Sequence, residues 1–217
     1  MPERPALDLF DALHSTPARR YLEPDPIDES VLWDLLDAAI RGPSGGNSQG
    51  WGWVVVTDPQ VKQTIADWYR DGWERVYGNA VPTAQSADSG LTASVHGSAE
   101  YLAAHLQEAP VFVFPVLTEV SESPLAGASI YGAVQHLMLA ARAYGIGSTL
   151  TSLHAFHESE VAALLGLPEN ARTMALIPLG YPARGRWSEP KRKPVQEVTH
   201  WGRWGQHRER PDDAGGS

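Results

Sequence analysis

Apolar residues recur along much of the chain at helical or strand spacing, and the breaks between those runs mark out the elements. Val31, Leu32, Leu35, Leu36, Ala39 and Ile40 share one face of a helix, with Asp28 at the N-cap position and Gly42-Pro43 ending the run. Ahead of it, Ala6 to Leu13 predicts a short helix, and Tyr21 to Asp28, broken by Pro24 and Pro26, an extended loop. Trp51 to Thr57 is rich in aromatic and β-branched residues and meets Asp58-Pro59, as a buried strand before a turn does. A helix follows from Pro59 to Tyr77. From Gly78 to Gly97 the periodicity gives way to Asn, Pro, Thr, Ser, Ala and Gly, which predicts a mobile loop. Beyond it lie a short helix, Ala99 to Gln107, and a strand, Pro110 to Leu117, whose Pro115 points to an edge or bulge.

In the second half, Ile130, Val134, Leu137, Met138 and Ala141 predict a long helix closed by Tyr144-Gly145. A helix around Ser159 to Leu165 and an apolar stretch, Thr173 to Leu179, lead into Gly180-Tyr181-Pro182. Helices and strands interleave, so the expected class is mixed α and β in layers, a single domain over residues 1–205. Its last part, 184–205, carries Arg, Lys and Trp with little periodicity and would be an arm ordered by contacts from elsewhere. The charged, Gly-terminated stretch 206–217 reads as a disordered tail.

Composition narrows the function. A chain of 217 residues buries roughly 70% of its unfolded surface, so its core needs no staples. With no Cys, disulfides, thiolate metal sites and cysteine nucleophiles are excluded. The 17 Lys and Arg against 26 Asp and Glu give a formal charge of -9, which argues against nucleic acid or an anionic membrane as partner. Apolar runs such as Val111 to Leu117 are too short to span a bilayer and no signal core follows Met1, so a cytoplasmic protein is expected. The 8 Trp fit packing, and also a planar ligand.

Familiar catalytic fingerprints are absent: no Walker loop, nucleophile elbow or HExxH helix. Gly145-Ile146-Gly147 follows a helix and has Leu150 where a dinucleotide loop needs glycine, so it reads as a helix-ending turn. His154 and His157, with Glu158, have metal-ligand chemistry but lack a third well-spaced ligand, and no metal site is expected. More informative is Arg41 to Trp51, between the best helix and the best strand, where glycines, hydroxyls and two amides crowd one loop. Such a loop suits a planar heterocycle, but from these residues alone it reads first as a polar helix-to-strand turn. Arg19-Arg20 and Lys191-Arg192-Lys193 are the basic clusters, with phosphate-binding or surface roles.

These segments also form an ordered set. Arg19-Arg20-Tyr21 with Pro24-Asp25-Pro26, then Pro43-Ser44-Gly45-Gly46-Asn47-Ser48-Gln49, then Gln135 to Gly147, then Ile177-Pro178-Leu179-Gly180-Tyr181-Pro182, resembles the nitroreductase family of flavin enzymes. The ending Lys191-Arg192-Lys193-Pro194-Val195, with Glu197-Val198 and His200-Trp201, is similar to the C-terminal arm of bacterial members. The resemblance implies an α+β fold, an αβα sandwich around a mostly antiparallel sheet with an extended C-terminal arm, and a homodimer with FMN at its interface. It implies that Arg19, Arg20 and Arg192 hold the FMN phosphate. Ser44, Asn47 and Gln49 would contact the ribityl chain and ring, Leu150, Thr151 and Ser152 would present backbone N–H groups to the ring, and Pro178, Leu179 and Gly180 would add a backbone contact. One departure stands out: where members carry a further arginine before Arg19, this chain has Ser15-Thr16-Pro17-Ala18.

The implied reaction is ping-pong hydride transfer from NADH or NADPH, through the flavin N5, to a nitroaromatic, quinone or similar conjugated acceptor. No side chain is singled out as acid or base, because the cofactor carries the redox chemistry. Tyr69, Trp73 and Tyr77 recur every fourth residue along one helical face. They either border the acceptor or pack onto the domain. Other branches of the fold supply two alternatives: a flavin dehydrogenase or oxidase that desaturates a peptide-like or natural-product substrate with O₂ as acceptor, and a non-catalytic flavin-binding protein.

Overall fold

Aspartates open the first helices. In the computed structural model, which describes residues 4–78, 93–119 and 125–211, the carboxylates of Asp8, Asp28 and Asp58 accept backbone N–H groups at the starts of α1 (Leu9–His14), α2 (Glu29–Ala39) and α3 (Pro59–Tyr77). Helices α4 (Ala93–His105), α5 (Ala128–Ala143) and α6 (Glu158–Leu165) complete the set. Just past α5 and α6, Gly145 and Gly166 take left-handed backbone at φ 72° and 65°, the usual device for ending a helix. Helix α4 corrects the sequence reading, since it begins at Ala93, inside the stretch expected to be loop. The rest of that expected loop, 79–92, lies outside the described residues.

Strands β1 (Trp51–Val56), β2 (Val111–Leu117), β3 (Gly147–Ser148), β4 (Arg172–Thr173) and β5 (Ile177–Gly180) pair antiparallel throughout, in the order β1-β2-β5-β3 with β4 beside β2. The apolar stretch Thr173 to Leu179 is therefore two short strands. Every residue of β2 is buried, and its alternation feeds two cores. Phe112, Phe114 and Val116 meet Ile65 and Tyr69 of α3, Leu102 of α4 and Val161 of α6. Val111, Val113 and Leu117 meet Leu35 of α2 and Ile130, Val134 and Leu137 of α5. Helices thus cover both sheet faces, giving three layers.

Pro115 was expected at an edge or bulge, yet it sits mid-sheet opposite Trp53 of β1. Its carbonyl turns the other way and accepts from the Met174 N–H at 2.8 Å. The N–H and C=O of one residue share a side in an antiparallel ladder. The missing proline N–H therefore falls on the β4 side, and the Met174 carbonyl it would have met accepts from the Tyr131 hydroxyl at 3.1 Å instead.

An extended N-terminal segment ties the sheet's end together. The Arg19 N–H donates to Ser148 O at 2.8 Å, Glu23 N–H to Tyr181 O at 2.7 Å and Ala183 N–H to Tyr21 O at 3.0 Å, with Leu22 bridging Pro182. Gly147 permits the approach, for a Cβ there would lie 2.8 Å from the Cβ of Arg19. The arm follows, and its contacts run past 205: Trp201 N–H donates to Gln206 O at 2.8 Å, and His207 Nδ1 lies 3.0 Å from Gln196 O. Residues 212–217 of the expected tail lie outside the described residues. Among the described residues no helix is long and apolar enough to cross a membrane.

Candidate functional site

Consecutive side chains of an extended segment point to opposite sides, and this separates Arg19 from Arg20. Arg20 is half-buried and donates to Ser98 Oγ on α4 at 3.1 Å. It lines a cavity of about 520 Å³ together with Thr16, Gln135 and Met138 of α5, Leu150, and Glu189 and Arg192 of the arm. Burial pulls the Arg20 guanidinium below its usual range, an effect opposed by the nearby Tyr69. Among the described residues Arg20 forms no ion pair. A cation held out of water without a counter-charge is a ready anion site.

Arg19 faces the arm instead. Its guanidinium donates to the carbonyl oxygens of Arg184 and Arg186 and stands over the Trp187 ring, while its Nε is buried without a partner. Burial, and then the charge of Arg142, lower its pKa. Arg142, from the last turn of α5, also stands over Trp187, and its Nε donates to the Ser15 carbonyl at 3.2 Å and to Ser15 Oγ at 3.1 Å. The stretch that lacks the usual arginine is thus met by one from α5. Sequence reasoning missed Arg142, Gln135, Met138, Glu189 and Trp187, whereas the Ser15 and Thr16 hydroxyls were expected to stand in for the absent arginine. Only Trp187, an aromatic within a polar run, carried a signal that could have marked it.

The loop containing Ser44, Asn47 and Gln49 is strained. Gly46, Asn47 and Gln49 have φ of 59°, 53° and 50°, and left-handed backbone is uncommon for non-glycine residues. Besides its backbone turns, two serine hydroxyls hold it: Gln49 N–H donates to Ser44 Oγ, and Gly45 N–H to Ser129 Oγ on α5, both at 3.0 Å. Gln49 lines a second cavity, of about 480 Å³, with Trp51, Thr118 and Ser129. Within one chain Arg20, Leu150 and Arg192 therefore line one cavity and Gln49 the other.

Of the residues after β3, Leu150 reaches the first cavity. Thr151 is occupied elsewhere: its N–H donates to Leu176 O at 3.0 Å and its hydroxyl bonds the Tyr69 hydroxyl at 2.8 Å. Ser152 is exposed. Pro178, Leu179 and Gly180 are buried in β5 and line neither cavity; Pro178 and Leu179 pair with β2, and Leu179 and Gly180 with β3. Tyr69 and Trp73 are buried in the core, and Tyr77 packs on it with its ring 4.5 Å from that of Trp73. The two histidines go separate ways. His154 is buried, its Nε2 2.9 Å from Thr173 Oγ1, and burial pushes its pKa down to about 4. His157 Nε2 lies 2.6 Å from Asp71 Oδ2. Among the described residues no three His, Cys, Asp or Glu side chains are grouped to hold a metal ion.

Comparison with known proteins bears on this arrangement. The sequence model of the Nitroreductase family matches residues 14–181. A protein described as NADH dehydrogenase from Thermus thermophilus is 30% identical over 214 residues, covering 91% of this chain and 97% of the relative. An iodotyrosine deiodinase from Thermotoga neapolitana is 29% identical, covering 83% and 89%. Among solved structures, the FMN and NADPH-dependent nitroreductase NfnB of sphigopyxis sp. strain HMH superposes with a TM-score of 0.68 at 23% identity, covering 91% of this chain and 100% of that one. An oxidized iodotyrosine deiodinase bound to FMN and 3-iodo-L-tyrosine does so with a TM-score of 0.70 at 22% identity, covering 89% and 100%.

Proposed function

Because the chain belongs to the nitroreductase family, we propose that it is an FMN-dependent oxidoreductase taking electrons from NADH or NADPH and delivering them to a nitroaromatic, quinone or similar conjugated acceptor. The observation that carries this reading is the half-buried, uncompensated Arg20 at a cavity shared with Arg192. The donor set fits the cofactor: the two guanidinium groups of Arg20 and Arg192 suit a phosphate. Glu189 lines the same cavity, with its carboxylate 3.1 Å from His14 Nδ1. When bound, FMN would supply the hydride chemistry at its ring.

The protein's part is to hold and shield. Arg20 and Arg192 bind the phosphate, beside a Thr16 whose hydroxyl donates to the Ala12 carbonyl; Arg19 acts through the arm it fastens. Leu150 walls the cavity, and the Tyr69–Thr151 hydrogen bond fixes the 150–152 loop behind it. Leu179 and Gly180 support that loop through β3. Ser44, Asn47 and Gln49 come from a second copy of the chain in this reading, because one copy keeps Gln49 and Arg20 at separate cavities. Tyr69 and Trp73, being core residues, set the backing of the acceptor site, and Tyr77 is the member of the stripe with surface to offer.

The deiodinase relatives favour a second acceptor, a halogenated tyrosine. One experiment addresses both. The purified protein should show flavin absorption that NADH or NADPH bleaches without oxygen, and that returns on adding a nitroaromatic, a quinone or 3-iodo-L-tyrosine. The acceptor that restores it identifies the class. Bound flavin that neither nucleotide reduces would move the reading to the oxidase or flavin-carrier alternatives, and failure to bind FMN would end it.

A further inference from the structure

Between residues 183 and 189 the arm is exposed at every position except Trp187. The guanidinium carbons of Arg19 and Arg142 lie 4.5 and 4.2 Å from the centre of its ring. These cations come from different elements, and each repels the other; Arg142 contributes to the lowered pKa of Arg19. Among aromatic rings an indole face attracts guanidinium most strongly, so a single ring draws in both cations and joins the arm to two elements. The backbone on either side is held as well. Arg19 donates to the carbonyls of Arg184 and Arg186, and Gly185 between them turns with φ 83°.

A few residues downstream, Glu189, Pro190 and Arg192 line the cavity they share with Arg20. Arg192 has little of its own to fix it, its hydrogen bond running to the adjacent Lys191 carbonyl at 3.0 Å. The Glu189–His14 contact joins two exposed side chains, and such pairs add little. The firm anchorage therefore lies upstream, at Trp187.

We infer that Trp187 is a positioning residue: its ring docks on Arg19 and Arg142 and thereby holds the arm so that Arg192 faces the FMN phosphate. The last clause rests on the FMN reading; the docking does not. The full-length chain is tested as wild type, Trp187→Phe, Trp187→Leu, Arg192→Ala and the Trp187→Leu/Arg192→Ala double variant. Two quantities are measured: the rate of trypsin cleavage after Lys191 and Arg192, located by mass spectrometry in variants that retain those sites, and the FMN dissociation constant from flavin fluorescence.

Phe keeps a ring for the guanidiniums and should behave as wild type. Leu keeps apolar bulk but no ring face, so cleavage should speed up about tenfold and FMN binding weaken about tenfold. Arg192→Ala should weaken FMN binding to a similar degree, and the double variant no further, since both changes remove one contact. Unchanged cleavage in Trp187→Leu overturns the docking. Additive losses in the double variant overturn the positioning of Arg192. A wild type that binds no FMN overturns the final clause alone, and the cleavage rates still decide the docking.

Discussion

Gln49 holds a left-handed backbone at φ 50°, a conformation that disfavours a non-glycine residue by about 1–2 kcal/mol. Gln49→Gly should therefore raise the stability of the cofactor-free protein by about 1 kcal/mol in urea titrations while weakening FMN binding through loss of its amide. Arg20→Ala should likewise leave the cofactor-free protein as stable or more so, because a desolvated cation is removed, yet weaken FMN binding about tenfold or more by fluorescence titration. His154 acts through acidity. Burial holds it at about 4 against an ordinary 6.5, so the unfolded chain takes up a proton first as pH falls. Its contribution, about 3 kcal/mol, is complete above pH 6.5 and is lost progressively down to about pH 4. Urea midpoints should fall across that window, and His154→Leu should flatten the fall. The carboxylates with lowered pKa, Asp34 bonded to Tyr144 and Asp71 to His157 among them, act at lower pH still.

Elements were legible in proportion to their length and caps. Helices α2 and α3 announce themselves by an Asp cap and a sustained apolar face, and β1 and β2 by runs of β-branched and aromatic residues. Helix α4 begins in Ala, Ser, Val, His and Gly, which carry no facial pattern, so tertiary packing decides it. Strands β3 and β4, two residues each, are too short for any period to register. The basic clusters and the amide loop were visible as chemistry, but whether Arg19 or Arg20 faces the cavity depends on the strand parity of their segment, which only the pairing with Ser148 and Tyr181 fixes. One close contact between elements is directly testable. A Cβ at Gly72 of α3 would lie 2.4 Å from Leu153 O, so Gly72→Ala should force α3 away from the 153–157 turn and lower stability by about 1–3 kcal/mol, read as a drop in Tm.

As a whole, one copy leaves much apolar surface uncovered. Trp33 is 65% exposed and Trp204 89%, with Ile40, Val195, Val198 and Trp201 also open. Large apolar side chains left open in this number suit an association surface. The molecule should run at twice its monomer mass in light scattering, and dilution to monomer should release FMN if two copies build the site. The Leu22–Pro182 bridge carries a different consequence, one of timing. Its partners are far apart in the chain, and at ribosomal rates of about 5–20 residues per second the second emerges roughly 10–30 s after the first. Arg20 therefore waits beside an unfinished sheet until Pro182 has been made. If this chain takes FMN as proposed, its capture is deferred until that bridge has closed, and a chain truncated before Pro182 would leave the ribosome without the means to recruit flavin.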